Sequence, residues 1–221
     1  MPDVKICGVR TEADISAVVR SGATFAGFVF YAPSPRALTP EQARGLIGVL
    51  PPSVTAVGLL VDPDDSLVER ASAAGAGLIQ LHGRETPSRV AQIRDRAGVP
   101  VMKAVGIARP EDLPIARAYE SVADRLLFDA KAPKTAGSLP GGNGVPFDWR
   151  VLAGTRWRLP WMLSGGLTPD NVARAMALSG ARAVDVSSGV ESAPGVKDPK
   201  AIRDFMDAVR TAARSRGRVA S

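Results

Sequence analysis

Lys5-Ile6-Cys7-Gly8 is the stretch from which the rest of the chain can be read. Val4 to Cys7 is a short apolar strand, Gly8 ends it, and Thr11 opens a helical pattern. The only cysteine of the chain therefore stands at the C-terminal end of a first strand. In parallel α/β proteins that end is where chemistry is done. A thiol suits proton abstraction from carbon, because its reference pKa of about 8.5 is close to working pH. The plain alternative is that Cys7 is a small core hydrophobe, as most unpaired cysteines are.

The strand-then-helix unit recurs along the chain. Continuous apolar runs lie at Phe25–Phe30, Val54–Val61, Leu78–Leu81, Val101–Val105, Leu126–Phe128, Trp161–Leu163 and Ala183–Val186, which with Val4–Cys7 makes eight. Strands apolar on both faces belong to buried parallel sheets. Between them a Thr or Asp followed by Pro recurs, at Thr39-Pro40, Asp62-Pro63, Thr86-Pro87, Thr168-Pro169 and Asp198-Pro199. Such a pair caps the free N–H groups of a first helical turn, and Pro at the next position has no donor to waste. Apolar residues then repeat at i, i+3, i+4, as in Ile15, Val18 and Val19 or Ile202, Phe205, Met206 and Val209. Starts spaced by roughly 25 residues leave room for one βα unit each. Eight units without a linker predict one closed (β/α)8 TIM barrel over 1–213, followed by a basic, flexible tail at 214–221.

Composition removes several classes of function. The chain of 221 residues has one Cys and one His, so internal disulfides, multi-cysteine zinc sites and two-histidine ligand sets are absent. No metal and no cofactor is expected. No signal peptide and no apolar run near the ~18 residues of a membrane span is visible, which predicts a cytoplasmic protein without a membrane partner. The net charge of +6 collects partly at Arg210, Arg214, Arg216 and Arg218. This reads as a solvated terminus and not a nucleic-acid surface, since no recognisable reading module accompanies it.

In a barrel, only strand ends and the loops after them are candidates for chemistry. Asp129 closes the sixth strand, where burial would favour its protonated form and make it a proton donor; pairing with Lys131 is the alternative. Ser164-Gly165-Gly166 and Ser187-Ser188-Gly189 follow strands seven and eight, the usual phosphate station, so Gly165, Gly166, Ser187, Ser188 and Gly189 are phosphate candidates. Tight-turn geometry would explain the same glycines. Arg36, after strand two, is placed to clamp a carboxylate or else to sit in solvent. Gln80 and His82 close strand four, His82 as a secondary positioning group. The glycine-rich loop Ala132 to Pro146 is long enough to be a lid over the catalytic face. These features alone indicate proton transfer on a phosphorylated substrate.

The chain also resembles the phosphoribosylanthranilate isomerase family of tryptophan biosynthesis. The likeness lies in Lys5-Ile6-Cys7-Gly8, Gly27-Phe28-Val29-Phe30-Tyr31 with Ser34-Pro35-Arg36, and Gln80-Leu81-His82-Gly83. It continues in Phe128-Asp129, Gly141-Gly142-Asn143-Gly144 with Phe147-Asp148-Trp149, Leu163-Ser164-Gly165-Gly166-Leu167, and Val184-Asp185-Val186-Ser187-Ser188-Gly189-Val190-Glu191 with Pro194-Gly195 and Lys197-Asp198. The resemblance implies an Amadori rearrangement of N-(5-phosphoribosyl)anthranilate without cofactor. Cys7 would be the general base, Asp129 the general acid and Arg36 the carboxylate clamp, with the turns after strands seven and eight on the phosphate. Lys5, Gln80, His82 and Asp185 are further substrate-contact candidates. The partner is a small phosphosugar, and the protein a monomer or homodimer. Two departures stand out: Val145-Pro146 where the family often has Lys-Thr, and Ala37 where it often has an aromatic residue. Related histidine-pathway barrels use an aspartate where this chain has Cys7, which argues against that activity. A non-catalytic phosphosugar-binding barrel is the remaining alternative.

Overall fold

The structure is a computed structural model that describes residues 1–131 and 147–219. Eight parallel strands close on themselves in sequence order: β1 (Asp3–Cys7), β2 (Phe25–Val29), β3 (Thr55–Leu60), β4 (Leu78–Leu81), β5 (Val101–Ile107), β6 (Arg125–Ala130), β7 (Trp161–Leu163) and β8 (Ala183–Val186). Among the described residues seven helices cover the outside: α1 (Glu12–Ser21), α2 (Pro40–Gly48), α3 (Asp65–Ala73), α4 (Pro87–Ala97), α5 (Leu113–Arg117), α6 (Val172–Ser179) and α7 (Pro199–Val219). The predicted barrel is thus present. Between β6 and β7 the described residues make a 3-10 turn, Trp149–Leu152, and no α-helix. Gly154, in the left-handed region at φ 70°, follows that turn closely. The segment Ala132 to Pro146, with the Val145-Pro146 departure, lies outside the described residues. α7 runs through Val219, so the boundary expected at 213/214 does not coincide with a helix end.

Capping follows the sequence in most places. Thr11 with Asp14 and Thr39 with Gln42 form complete capping boxes, and the Thr86 hydroxyl accepts the N–H of Arg89 at 3.2 Å. Two of the expected caps are displaced. α3 is capped by Asp64, whose carboxylate accepts from Leu67, while Asp62 at φ 46° accepts the N–H of Arg84 at 2.7 Å. α6 starts at Val172, after a turn in which the Asn171 amide accepts from Thr168 and donates to the Gly166 carbonyl. Both Thr/Asp-Pro pairs belong to the loop: a loop N–H takes the Asp62 carboxylate, and the Asn171 side chain takes the Thr168 N–H.

Strand alternation sorts the core into an outer and an inner layer. Ile6, Ala26, Phe28, Ile79, Phe128 and Val184 face the helices; Phe128 lies against Trp157 and Trp161, ring centroids 4.7 and 5.3 Å away. Phe25, Val57, Leu78, Met102, Leu127, Met162 and Ala183 fill the barrel floor. Above them Cys7 packs with Val29 and Leu59, edged by Tyr31 and Val61, at the C-terminal rim.

The inner layer also holds charge. Lys5 of β1 has no exposed surface, and its Nζ donates to Asp185 Oδ1 at 2.8 Å across the β1–β8 seam. Ser164 completes the carboxylate at Oδ2, 3.0 Å away. Removing one partner leaves an uncompensated buried charge, so Asp185→Ala is expected to cost about 3–5 kcal/mol in urea unfolding. A loss below about 1 kcal/mol would mean that Lys5 discharges or finds another partner.

Candidate active site

Cys7 and Lys5 are two apart on β1 and share its inner face, as do Asp129 and Leu127 on β6. The strand order places β7 and β8 between β6 and β1, so the acid and the thiol approach the mouth from different sides of the rim. The open conformation of Gly8 (φ 84°) and the absence of a side chain at Gly27 make room there. A Cβ on Gly27 would stand 3.0 Å from the Cys7 sulphur, and one on Gly8 would be 2.5 Å from Cδ of Arg36.

Asp129 is buried and does not pair with Lys131. Lys131 bonds Asp112 instead, at 2.9 Å, and Asp129 receives His82 Nε2 at 3.0 Å and the Ala130 N–H at 2.8 Å. Burial, the largest influence on Asp112, would raise its pKa. The Lys131 ammonium with the N–H groups of Ala108 and Arg109 more than reverses this, so Asp112 lies below the usual carboxylate range. This local pairing draws Lys131 away from the barrel mouth and leaves Asp129 to His82. The far ring nitrogen, Nδ1, meets the Gln80 amide at 2.9 Å. Because the Gln80 NH2 can only donate, Nδ1 accepts and the ring proton is on Nε2, which donates to Asp129 Oδ2.

The loop that carries His82 is itself anchored. Lys103, facing outward from β5, donates to the Gly83 carbonyl at 2.9 Å and to Glu85 at 2.8 Å. Glu85 in turn accepts the N–H groups of Asp62 and Gly83. The sequence reading singled out neither residue.

The two glycine turns after β7 and β8 pack directly on each other. A Cβ on Gly189 would collide with the carbonyl oxygen of Leu167, and one on Gly165 would strike the Ala130 amide and come 2.9 Å from Asp129 Oδ1. Gly165 and Gly166 are both left-handed, at φ 88° and 64°. Ser188 and Gly189 sit in a 3-10 turn, Ser188–Val190, while the Ser187 hydroxyl donates to the Cys7 carbonyl at 3.0 Å. The sequence therefore brings the phosphate candidates together, with Ser187 tied to the backbone of β1.

Three further candidates lie deep: Lys5 and Gln80 have no exposed surface and Asp185 is nearly as buried, Lys5 bonding Asp185 and Gln80 bonding His82. Lys5 holds its proton above the ordinary lysine range. Burial alone, the largest influence, would do the opposite, but Asp185 and the neighbouring Cys7 sulphur outweigh it. Arg36 is not solvated either. Its guanidinium forms a bidentate pair with Glu191, Nε to Oε1 at 2.8 Å and Nη2 to Oε2 at 2.7 Å. Glu191 begins β9 (Glu191–Ala193), which turns back as β10 (Val196–Lys197), a hairpin absent from the sequence reading. The likeness to the family did contain its residues, but nothing local told that they form a hairpin over Arg36.

Burial acts most strongly on Glu191 and would raise its pKa; the bonds from Arg36 and the charge of Lys197 win and hold it below the usual value. A lowered folded pKa gives stability that is complete above the unfolded value of about 4.3 and disappears as pH falls through the folded one. The stability difference between the parent and Glu191→Gln is therefore expected to shrink on acidifying below about pH 4. A gap that stays constant from neutral to acid pH would show that the charge of Glu191 contributes nothing.

Among the described residues no cluster of three or more His, Cys, Asp or Glu side chains is arranged to hold a metal ion, and no helix is long and apolar enough to cross a membrane.

Comparison with known proteins places the chain in a family. The family model described as N-(5'-phosphoribosyl)anthranilate (PRA) isomerase matches residues 4–208. The N-(5'-phosphoribosyl)anthranilate isomerase of Paramagnetospirillum magneticum is 54% identical over 209 residues, covering 94% of this chain and 97% of that one. That of Paracoccus denitrificans is 55% identical over 204 residues, covering 92% and 94%. Among solved structures, phosphoribosyl anthranilate isomerase from Thermotoga maritima superposes with a TM-score of 0.85 at 38% identity, over 96% of this chain and 100% of that one. A phosphoribosyl anthranilate isomerase in complex with reduced 1-(o-carboxyphenylamino)-1-deoxyribulose 5-phosphate gives a TM-score of 0.83 at 36% identity, over the same shares. With a family match across nearly its whole length and relatives more than half identical to it, this chain belongs to the N-(5'-phosphoribosyl)anthranilate isomerase family.

Proposed function

We propose that Asp129 and Cys7 divide the proton transfers of the family's reaction between them. The chain catalyses the isomerisation of N-(5'-phosphoribosyl)anthranilate in tryptophan biosynthesis. In our reading Asp129, as the acid, gives its proton to the ribose ring oxygen. The C1–O bond breaks, and the anthranilate nitrogen lone pair forms the C1=N bond of an iminium. Cys7, as thiolate, then removes the C2 proton. The C–H electron pair becomes C1=C2, and the C=N pair returns to nitrogen as an enolamine. Tautomerisation brings a proton to C1 and releases the one on the 2-hydroxyl, giving 1-(2-carboxyphenylamino)-1-deoxyribulose 5-phosphate. No electrons leave the substrate, so no redox partner is consumed.

The carrying observation is that the thiol and the carboxyl lie on inner strand faces at the C-terminal rim, the carboxyl fixed by His82. Two groups are needed because the ring oxygen and the C2 hydrogen are different targets that one group cannot serve from one face of the sugar. Arg36 holds the anthranilate carboxylate, and Gly165, Gly166, Ser188 and Gly189 hold the phosphate through backbone N–H groups. Ser187 supports that turn from β1. A non-catalytic phosphosugar-binding barrel would need the phosphate turns only, and would have no use for a histidine-fixed carboxyl facing a thiol. The cytoplasm is the compartment that fits a reduced thiol and a biosynthetic role. Both a monomer and a homodimer are compatible with the site, which is built within one chain; one related structure is that of monomers made from a dimeric enzyme of Thermotoga maritima.

The test is direct. Purified protein mixed with freshly made phosphoribosylanthranilate should remove the substrate's fluorescence catalytically. Stoichiometric binding without turnover would favour the non-catalytic barrel.

A further inference from the structure

Arg36 by itself does not explain a carboxylate clamp. Its bidentate pair with Glu191 is neutral as a unit, and a neutral unit has little net attraction for a second carboxylate. The hairpin adds a third member. Lys197 Nζ lies 2.6 Å from Glu191 Oε1, the same oxygen that accepts from Arg36 Nε, and 3.1 Å from the Ser187 carbonyl. Burial pulls the Lys197 pKa down against Glu191 and Cys7; with its proton held by those partners, two cations share one anion and the cluster of Arg36, Glu191 and Lys197 has one net positive charge. The side chains of Arg36, Glu191 and Lys197 are 7%, 3% and 0% exposed, so water screens that charge weakly. Glu191 occupies Nε and Nη2 and leaves the Nη1 side of the guanidinium fork for a ligand. The arrangement is closely packed: a Cβ on Gly195, in the hairpin turn, would come 2.6 Å from the Pro35 carbonyl, and the Gly195 N–H donates to Glu191 Oε2 at 3.2 Å.

We propose that Lys197 is a specificity determinant for the substrate carboxylate: it supplies the positive charge that Glu191 removes from Arg36, while Glu191 holds the guanidinium in place. This rests on the reading of Arg36 as the carboxylate clamp. It predicts that discrimination follows the net charge of the cluster and not the identity of any one side chain.

The experiment uses two probes, reduced 1-(o-carboxyphenylamino)-1-deoxyribulose 5-phosphate and the same compound lacking the ring carboxylate. The ratio of their inhibition constants reports the carboxylate alone. Lys197→Met, with net charge zero, should shrink the carboxylate preference about tenfold and raise KM more than it lowers kcat. Glu191→Gln, at +2, should enlarge it. The double variant Glu191→Gln/Lys197→Met, back at +1, should return to within about threefold of the parent, which two merely structural defects would not do. An unchanged ratio in Lys197→Met, or no recovery in the double variant, overturns the proposal. If Lys197→Met does not fold, Glu191→Gln decides: a ratio that fails to rise overturns it. The same excess charge adjoins Cys7; slower carbamidomethylation of the sole cysteine with an intact ratio would assign it to the thiolate, and overturn the proposal too. Arg36→Leu separates the premises. If it keeps the carboxylate preference, the clamp reading itself fails; if it loses the preference while Lys197→Met does not, only the role of Lys197 falls.

Discussion

Cys7→Ala is expected to lower kcat by on the order of 10²–10⁴-fold or more, while the affinity for a phosphorylated product analogue changes little. The methyl group cannot accept the C2 proton, and no other described thiol, and no histidine other than His82, exists to replace it. The fold should tolerate the change. Among the described residues the sulphur packs in the small rim cluster with Val29 and Leu59, against Gly27 and beside the Lys5 ammonium. The Ser187 hydroxyl bonds the Cys7 carbonyl, which alanine retains, so the turn after β8 keeps its anchor. Serine at this position should fare no better, because an alcohol is a far weaker acid than a thiol and so is not present as the anion at neutral pH. Turnover within a few-fold of the parent in a steady-state fluorescence assay would remove Cys7 from the reaction.

The second large effect is expected from Asp129→Asn. The amide has nearly the shape of the carboxyl, and its oxygen can keep the Ala130 N–H. It has no acidic proton to give to the ring oxygen. kcat should again fall by roughly 10²–10⁴-fold, with binding of the reduced product analogue preserved. The two variants should differ in where they stop. Asp129→Asn blocks ring opening, so C2 hydrogen of the substrate should not exchange with deuterated water. A parent-like rate in Asp129→Asn would hand the acid role to another group, with His82 the nearest.

Several candidate site residues are legible in the sequence because their signals are local. Cys7 and Asp129 end apolar runs, and in a parallel barrel the end of a strand is the rim. The glycine turns after β7 and β8 follow from the same logic. His82 was visible as a strand-end residue, but its partner was not. Asp129 and Lys131 are two apart and would be paired by proximity in sequence; the structure gives Lys131 to Asp112 and Asp129 to His82. Proximity failed because neighbours two apart across a strand end need not point the same way once the strand finishes. The Asp62 cap failed for a related reason, since Glu85 and Arg84 on the next loop compete for that residue's backbone and carboxylate. Ala37, the departure beside Arg36, makes an isolated parallel bridge with Val29, so its loop is held to β2 by backbone and does not depend on an aromatic side chain.

What the chain determines by itself is its set of strands and most helix starts, and hence which residues stand on the catalytic rim. Runs apolar on both faces can be satisfied only inside a covered parallel sheet, and capping residues act within three or four positions. What only the tertiary structure decided is the pairing of charges: Lys5 with Asp185 across 180 positions, and Arg36 with Glu191 across 155. Those partners meet because closing the barrel sets β8 beside β1 and brings the following hairpin back over the loop after β2. Closure and register arise from the packing of all eight strands together, so no short segment carries a sign of which distant charge it will face.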